Sequence, residues 1–138
     1  MSDKQLFIFD ACAVIALLRE EFGAENIERL VVDPSVECVI HSISLCEAAY
    51  DAMRRKPALD LTEWTTDIEA FGLRVHWDIG YGLFADAAAL KAYWRRVSLA
   101  DCFALALARQ LGGTLLTSDH HEMDPLVAAG VLNISFFR

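Results

Sequence analysis

Thirteen consecutive residues, Leu6 to Leu18 (LFIFDACAVIALL), contain one charge, Asp10. This run constrains the fold more than any other segment. Leu6–Phe9 reads as a buried strand, and Ala11–Leu18 as a buried helix that follows it directly. Asp10 then sits at the carboxyl end of the strand, where open α/β sheets keep their ligand sites. An unpaired ionised carboxylate in an apolar setting costs many kcal/mol. Such a group is exposed, paired, neutralised or bound to a cation.

The rest of the chain continues the alternation. Helical patterns over Ala24–Val32, Ser42–Lys56, Leu61–Phe71, Ile79–Arg96, Leu99–Leu111 and Pro125–Ala129 are separated by strand-like Val36–His41, Leu73–Trp77, Thr114–Thr117 and Ile134–Phe137. Asp78 is a candidate N-cap, and Gly112-Gly113 a helix stop. Strands alternating with helices imply an α/β fold, a parallel sheet covered on both faces. The chain has 138 residues, no linker and no repeat, so one domain over 1–138 is expected. No apolar stretch has the roughly 18 residues of a membrane span. The N-terminus MSDKQ carries no basic leader, and a cytoplasmic location is expected. Cys12, Cys38, Cys46 and Cys102 form no C-x-x-C pair and no obvious zinc spacing, and read as reduced, buried small hydrophobes.

Three further acids occupy places equivalent to that of Asp10. Asp119 follows the apolar strand TLLT. Asp101 lies in the first turn of a helix whose interior, Cys102–Ala108, is uncharged; a helix apolar all round is buried. Glu47 lies near the start of the helix after VECVIH. Each has a simple alternative. Ser44-x-x-Glu47 and Ser98-x-x-Asp101 have capping-box spacing, Asp10 can cap its helix, and Asp119 can serve a turn. Together they are harder to explain as caps. Two carboxylates 4 Å apart repel by about 4 kcal/mol at a surface-like dielectric, whereas a cap supplies about 1 kcal/mol. Oxygen-only donors of this kind suit Mg²⁺ or Mn²⁺. The net charge of −8 argues against a passive nucleic-acid binder, but not against a metal-dependent enzyme.

With these residues in place, the chain resembles the PIN domain family, in particular the small VapC-type toxins of toxin–antitoxin pairs. The resemblance rests on FIFDACAVIALL, SLCEAAYDAMRR, SLADCFALALARQLGG and TLLTSDHHEMDPL, in that order and spacing. It implies a three-layer α/β/α sandwich around a central parallel sheet. It also implies Mg²⁺- or Mn²⁺-dependent endoribonuclease activity, with the family's acidic quartet falling on Asp10, Glu47, Asp101 and Asp119. Asp10 and Asp101 are the favoured direct metal ligands. Glu47 and Asp119 complete the set or orient water. Glu122, His120 and Thr117 are accessory candidates, and Asp124 is a weaker acidic one. A homodimer and a cognate antitoxin whose tail covers the site are implied partners. One departure stands out: the family often has Ser or Thr two residues after its first Asp, and this chain has Cys12.

RNA must then approach an acidic rim. Arg54, Arg55 and Arg95 are candidate phosphate contacts, although several basic residues also suit helix C-termini through the dipole. Trp64, Trp77 and Trp94 can stack bases, but their spacing favours core or interface roles. Two rival readings remain. One is a catalytically inactive PIN-like module that binds RNA or protein, for which Cys12 is the best support. The other is an aspartyl-phosphate phosphotransferase, which wants a second Asp where Cys12 stands.

Overall fold

The computed structural model describes residues 3–130 and 132–138. Its elements are β1 (Gln5–Phe9), α1 (Ala11–Leu18), α2 (Ala24–Val32), β2 (Val36–His41), α3 (Ser42–Arg55), α4 (Leu61–Phe71), β3 (Leu73–His76), α5 (Gly80–Tyr93), α6 (Leu99–Leu111), β4 (Thr114–Thr117), α7 (His120–Ala129) and β5 (Ile134–Phe136). The five strands are parallel, in the order β3-β2-β1-β4-β5. Chain order runs outward in both directions from β1. The topological switch therefore lies between β1 and β4, and the crevice beyond their carboxyl ends is the expected ligand site of such a sheet.

Alternation along the strands builds two cores. Ile8, Val39 and Leu115 point to one face, where they meet α5, α6 and α7 through Leu83, Leu105 and Met123. Phe7, Phe9, Cys38, Ile40 and Leu116 point to the other, against α1 to α4 through Val14, Ile27, Leu45 and Ile68. The result is the three-layer α/β/α sandwich implied by the resemblance. Every residue from Cys102 to Ala108 is buried, as the uncharged interior of α6 requires. Among the described residues no helix is long and apolar enough to cross a membrane.

Two elements have a boundary that differs from the sequence reading by more than one residue. α5 ends at Tyr93 rather than Arg96, and Asp78 does not cap it; Ile79 holds that position without a side-chain bond. The Lys91 ammonium donates to the carbonyls of Arg95 (2.9 Å) and Val97 (2.7 Å), which holds the chain outside the helix. α7 begins at His120, five residues before Pro125. Asp119 caps it by accepting from the Glu122 amide at 3.0 Å, so Pro125 lies inside the helix and does not open it.

The C-terminus is pinned beside α2. Asn26 Nδ2 donates to the Phe137 carbonyl (3.0 Å) and the Arg138 guanidinium pairs with Glu21 (3.3 Å). Gly23 makes this approach possible. Its φ of 92° is left-handed, and a Cβ there would lie 2.8 Å from the Phe137 carbonyl oxygen. Gly23→Ala should therefore lower stability by about 2 kcal/mol, read as a shift in the urea midpoint.

Candidate active site

Four of the helices that begin at the carboxyl edge of the sheet, α1, α3, α6 and α7, carry a candidate acid in or before their first two turns. Asp10 is the N-cap of α1, and its Oδ1 accepts from the Ala13 amide at 2.9 Å. α3 is capped by His41, whose Nδ1 accepts from the Ile43 amide (3.1 Å) while Nε2 faces the Asp78 carbonyl (3.3 Å). These two contacts specify a neutral ring with the proton on Nε2. Burial lowers the His41 pKa further. His41 thereby seats the helix that carries Glu47. α6 is capped by Ser98, whose Oγ accepts from the Asp101 amide at 3.2 Å. α7 is capped by Asp119, and Glu122 lies in its first turn.

These caps separate the four acids. Glu47 does not belong to a capping box, because His41 and not Ser44 is the cap. The Ser98 box is real, but the acid that accepts from the Ser98 amide is Glu122 Oε1, at 3.2 Å, and not Asp101. Asp10 caps with one oxygen only. Its Oδ2 is buried without a hydrogen-bond partner, in a side chain that is 1% exposed.

The acids are close. Oxygens of Asp101, Asp119 and Glu122 lie within 4.8 Å of one another. Asp10 feels the carboxylates of Asp119 and Glu47, and Asp101 feels those of Asp10 and Glu47. Burial, reinforced by Asp119 and Glu47, raises the Asp10 pKa to about 6 against the pull of the nearby Thr117 hydroxyl, which makes no hydrogen bond to Oδ2, and of the Ala13 amide. Burial also raises Asp101 and Glu122, and the neighbouring Asp101 carboxylate adds to the shift of Glu122. Glu47 is raised by burial and by Glu122. These are the effects expected of an acidic cluster without a countercharge. The donors are all oxygen, and the orphaned Asp10 oxygen is a group a hard divalent cation would satisfy.

The accessory candidates divide. Glu122 stands inside the cluster. Thr117 is buried beneath it, and its hydroxyl accepts from the Asp119 amide at 3.1 Å. His120 turns away: its ring stacks on Phe136 at 3.9 Å and bonds Asp124 (3.2 Å) and the Arg138 carbonyl (3.0 Å). Asp124 is thus engaged with His120. Of the cysteines expected to be buried, Cys38 and Cys102 are, Cys46 on α3 is exposed, and Cys12 is half-buried and faces the cluster. Burial, followed by Asp10, Asp101 and Asp119, pushes its pKa up to about 12, so it stands there as a neutral thiol.

The arginines divide as well. Arg54 and Arg55 end α3, about 10–12 Å along the helix axis from Glu47. Arg54 packs over the Tyr50 ring at 4.7 Å. Arg95 lies in the segment that leads into Ser98 and Asp101. Of the tryptophans, Trp64 and Trp94 pack against the two cores, and Trp77 is 57% exposed.

The PIN domain family model matches residues 7–124, which include all five clustered acids. The chain belongs to the PIN domain family. No curated protein sequence matches it. Solved structures do. A toxin–antitoxin complex from Klebsiella pneumoniae aligns with a TM-score of 0.71 at 19% identity, covering 95% of this chain and 97% of that one. The DNA-bound VapBC of Salmonella typhimurium gives 0.69 at 19% identity, covering 97% and 99%. VapC20 of Mycobacterium tuberculosis, described as a toxin that cleaves the sarcin–ricin loop, gives 0.64 at 17% identity over 79% and 86%. At these identities the likeness is one of fold. What this PIN domain can do chemically is therefore read from its own acidic edge and not from the neighbours.

Proposed function

We propose that this PIN domain, acting as one unit over its 138 residues, is a Mg²⁺- or Mn²⁺-dependent endoribonuclease and the toxin of a toxin–antitoxin pair. The observation that carries the reading is the buried, unpartnered Oδ2 of Asp10 beside the carboxyl cluster of Asp101, Asp119 and Glu122. Asp10 and Asp101 would hold the ion, with Asp119, Glu122 and Glu47 completing its surroundings. A divalent cation there supplies charge relief at the phosphoryl oxygens and eases deprotonation of water. The protein's part is positional. Ser98 and Asp119 lock the first turns of α6 and α7, so that the carboxylates keep their places when charged. Without a cation Glu122 holds its proton; a cation that releases it would leave a carboxylate at the site able to accept a proton from water. Four helix N-termini at the same edge favour an incoming anion.

The partners are part of the proposal. Similar structures are described as toxin–antitoxin complexes. This chain has an apolar cleft of about 190 Å³ between α1, α2 and α4, with Leu18 and Phe71 half-exposed on its rim. Such a surface supports a protein partner, an antitoxin or a second copy in a homodimer. The alternative, an inactive RNA- or protein-binding PIN module, draws on the neutral thiol of Cys12 in place of a hydroxyl.

The test is a cleavage assay on single-stranded and structured RNA in EDTA, Mg²⁺ and Mn²⁺, with Asp10→Asn alongside. Asn keeps the α1 cap, so this variant should fold. Metal-dependent cleavage that Asp10→Asn abolishes is the expected result. No cleavage of any RNA with either metal would favour the inactive module.

A further inference from the structure

Beside the acidic cluster lies a second feature, a cleft of about 160 Å³ between the end of α5 and the start of α7. One wall is the segment Tyr93–Val97. The other is His121 and Pro125, and Glu122 belongs both to this cleft and to the carboxyl cluster. The volume is below the roughly 300–1,000 Å³ of drug-sized sites and suits a single planar ring.

The wall is preorganised. Lys91 holds the carbonyls of Arg95 and Val97, the Val97 amide donates to the Trp94 carbonyl (3.0 Å), and the Ser98 amide donates to Glu122. Trp94 is half-buried against the core and supports Tyr93 edge-on, with ring centroids 4.9 Å apart. Tyr93 itself is 76% exposed. Arg95 and Arg96 are exposed, and neither side chain takes part in an ion pair among the described residues. A fixed aromatic face flanked by two unpaired guanidinium groups, in a protein of net charge −8, matches a nucleotide: a ring to stack and phosphates to neutralise.

We propose that this cleft is a nucleotide subsite, holding one base of the RNA strand against Tyr93 and the adjoining phosphates against Arg95 and Arg96, next to the scissile bond. The assignment rests on the nuclease reading and specifies how an anionic strand is held at an acidic rim. Base stacking on an aromatic ring is sequence-tolerant, so the subsite sets affinity and register more than sequence choice.

The experiment measures KM and kcat for Mn²⁺-dependent cleavage of a short, random-sequence single-stranded RNA over a range of salt concentrations. It compares wild type, Tyr93→Leu, Tyr93→Phe and Arg95→Gln/Arg96→Gln. Tyr93→Leu should raise KM about tenfold, and Tyr93→Phe, which keeps the ring, should leave it unchanged. The double arginine variant should flatten the dependence of log KM on log salt by about 0.7 for each phosphate that is no longer neutralised. In all three variants Mn²⁺ should raise the melting temperature as in wild type. Unchanged KM and salt slope in an enzyme that cleaves would overturn the subsite and leave the nuclease reading intact. So would unchanged RNA kinetics with lost affinity for an antitoxin, which would make the cleft a protein site. Loss of the Mn²⁺ effect would make it part of the metal site and also overturn the assignment. A wild type that cleaves no RNA removes the nuclease reading first, and the subsite with it.

Discussion

Asp101→Asn should melt at a higher temperature than wild type in EDTA, yet lose metal-dependent cleavage by at least about a hundredfold. The stability gain follows from the cluster. Asp101 is half-buried, one of its oxygens lies within 4.8 Å of oxygens of Asp119 and Glu122, and burial raises its pKa. Carboxylates at such separations repel by about 4 kcal/mol at a surface-like dielectric. Glu122, whose raised pKa lets it hold a proton, already relieves part of that. An Asn at 101 keeps the shape and offers an amide donor to Glu122, so a gain of about 1 kcal/mol, roughly 4 °C, is expected. The α6 cap is unaffected, because Ser98 bonds the backbone amide of residue 101 and not its side chain. The functional loss follows from the same substitution. Changes even around a metal's ligands cost roughly 10- to 100-fold, and loss of a ligand costs more. In wild type, Mn²⁺ at a hundred times its Kd should add about 2.7 kcal/mol of stability; in the variant that increment should vanish. A lower melting temperature in EDTA would mean that Asp101 is a structural residue and that the repulsion argument fails.

The cluster is legible in the chain to the extent that its cause is local. Asp10 and Asp119 each end a short apolar strand, and strand ends are visible in a sequence. Asp101 opens a helix without interior charges, and that too is a local pattern. All three reach the edge where the pattern puts them. The parallel sheet and both helical layers follow from the alternation of strands and helices in the same way. Glu122 reads only as an accessory candidate because the start of α7 is hidden in the sequence. Pro125 looks like a first helical residue, and the cap that starts the helix earlier, Asp119, reads as a site residue instead. One residue can serve as both, since capping uses one carboxylate oxygen and leaves the other free. The end of α5 is hidden for a different reason. Tyr93–Arg96 has good helical character, and what draws it out of the helix is a lysine side chain bonding carbonyls ahead of it. His41 as a cap depends on a contact across the sheet edge to Asp78, 37 residues away in sequence. The aromatic and basic groups of the subsite are likewise brought to Glu122 by tertiary packing of α5 against α6, which no spacing in the chain reveals.

Metal-free protein should become less stable as pH rises through the range in which the buried acids lose their protons, and Mn²⁺ should reverse the trend. Asp10 has an ordinary pKa of 3.8 and one of about 6 in the fold. Below 3.8 both folded and unfolded chains hold the proton, and the residue contributes no slope. Between 3.8 and about 6 the folded chain retains a proton that the unfolded chain has released. Each further pH unit then favours unfolding by about 1.36 kcal/mol. Across the window Asp10 accounts for about 3 kcal/mol of lost stability. Asp101 and Glu122 act in the same direction, since burial raises both. Exposed carboxylates such as Asp33, whose pKa is lowered by Ser35, act oppositely, so the total profile mixes both signs. The difference between wild type and Asp10→Asn isolates the buried group. In EDTA that difference should grow in favour of the variant from about pH 4 to about pH 6 and level off above. With Mn²⁺ present it should change sign, because the ion binds only deprotonated carboxylates and its affinity rises with pH. A difference that stays flat from about pH 4 to about pH 7 in EDTA would mean that Asp10 titrates normally and that its second oxygen is solvated rather than orphaned. The reading of Asp10 as a ligand awaiting a cation would then lose its physical basis.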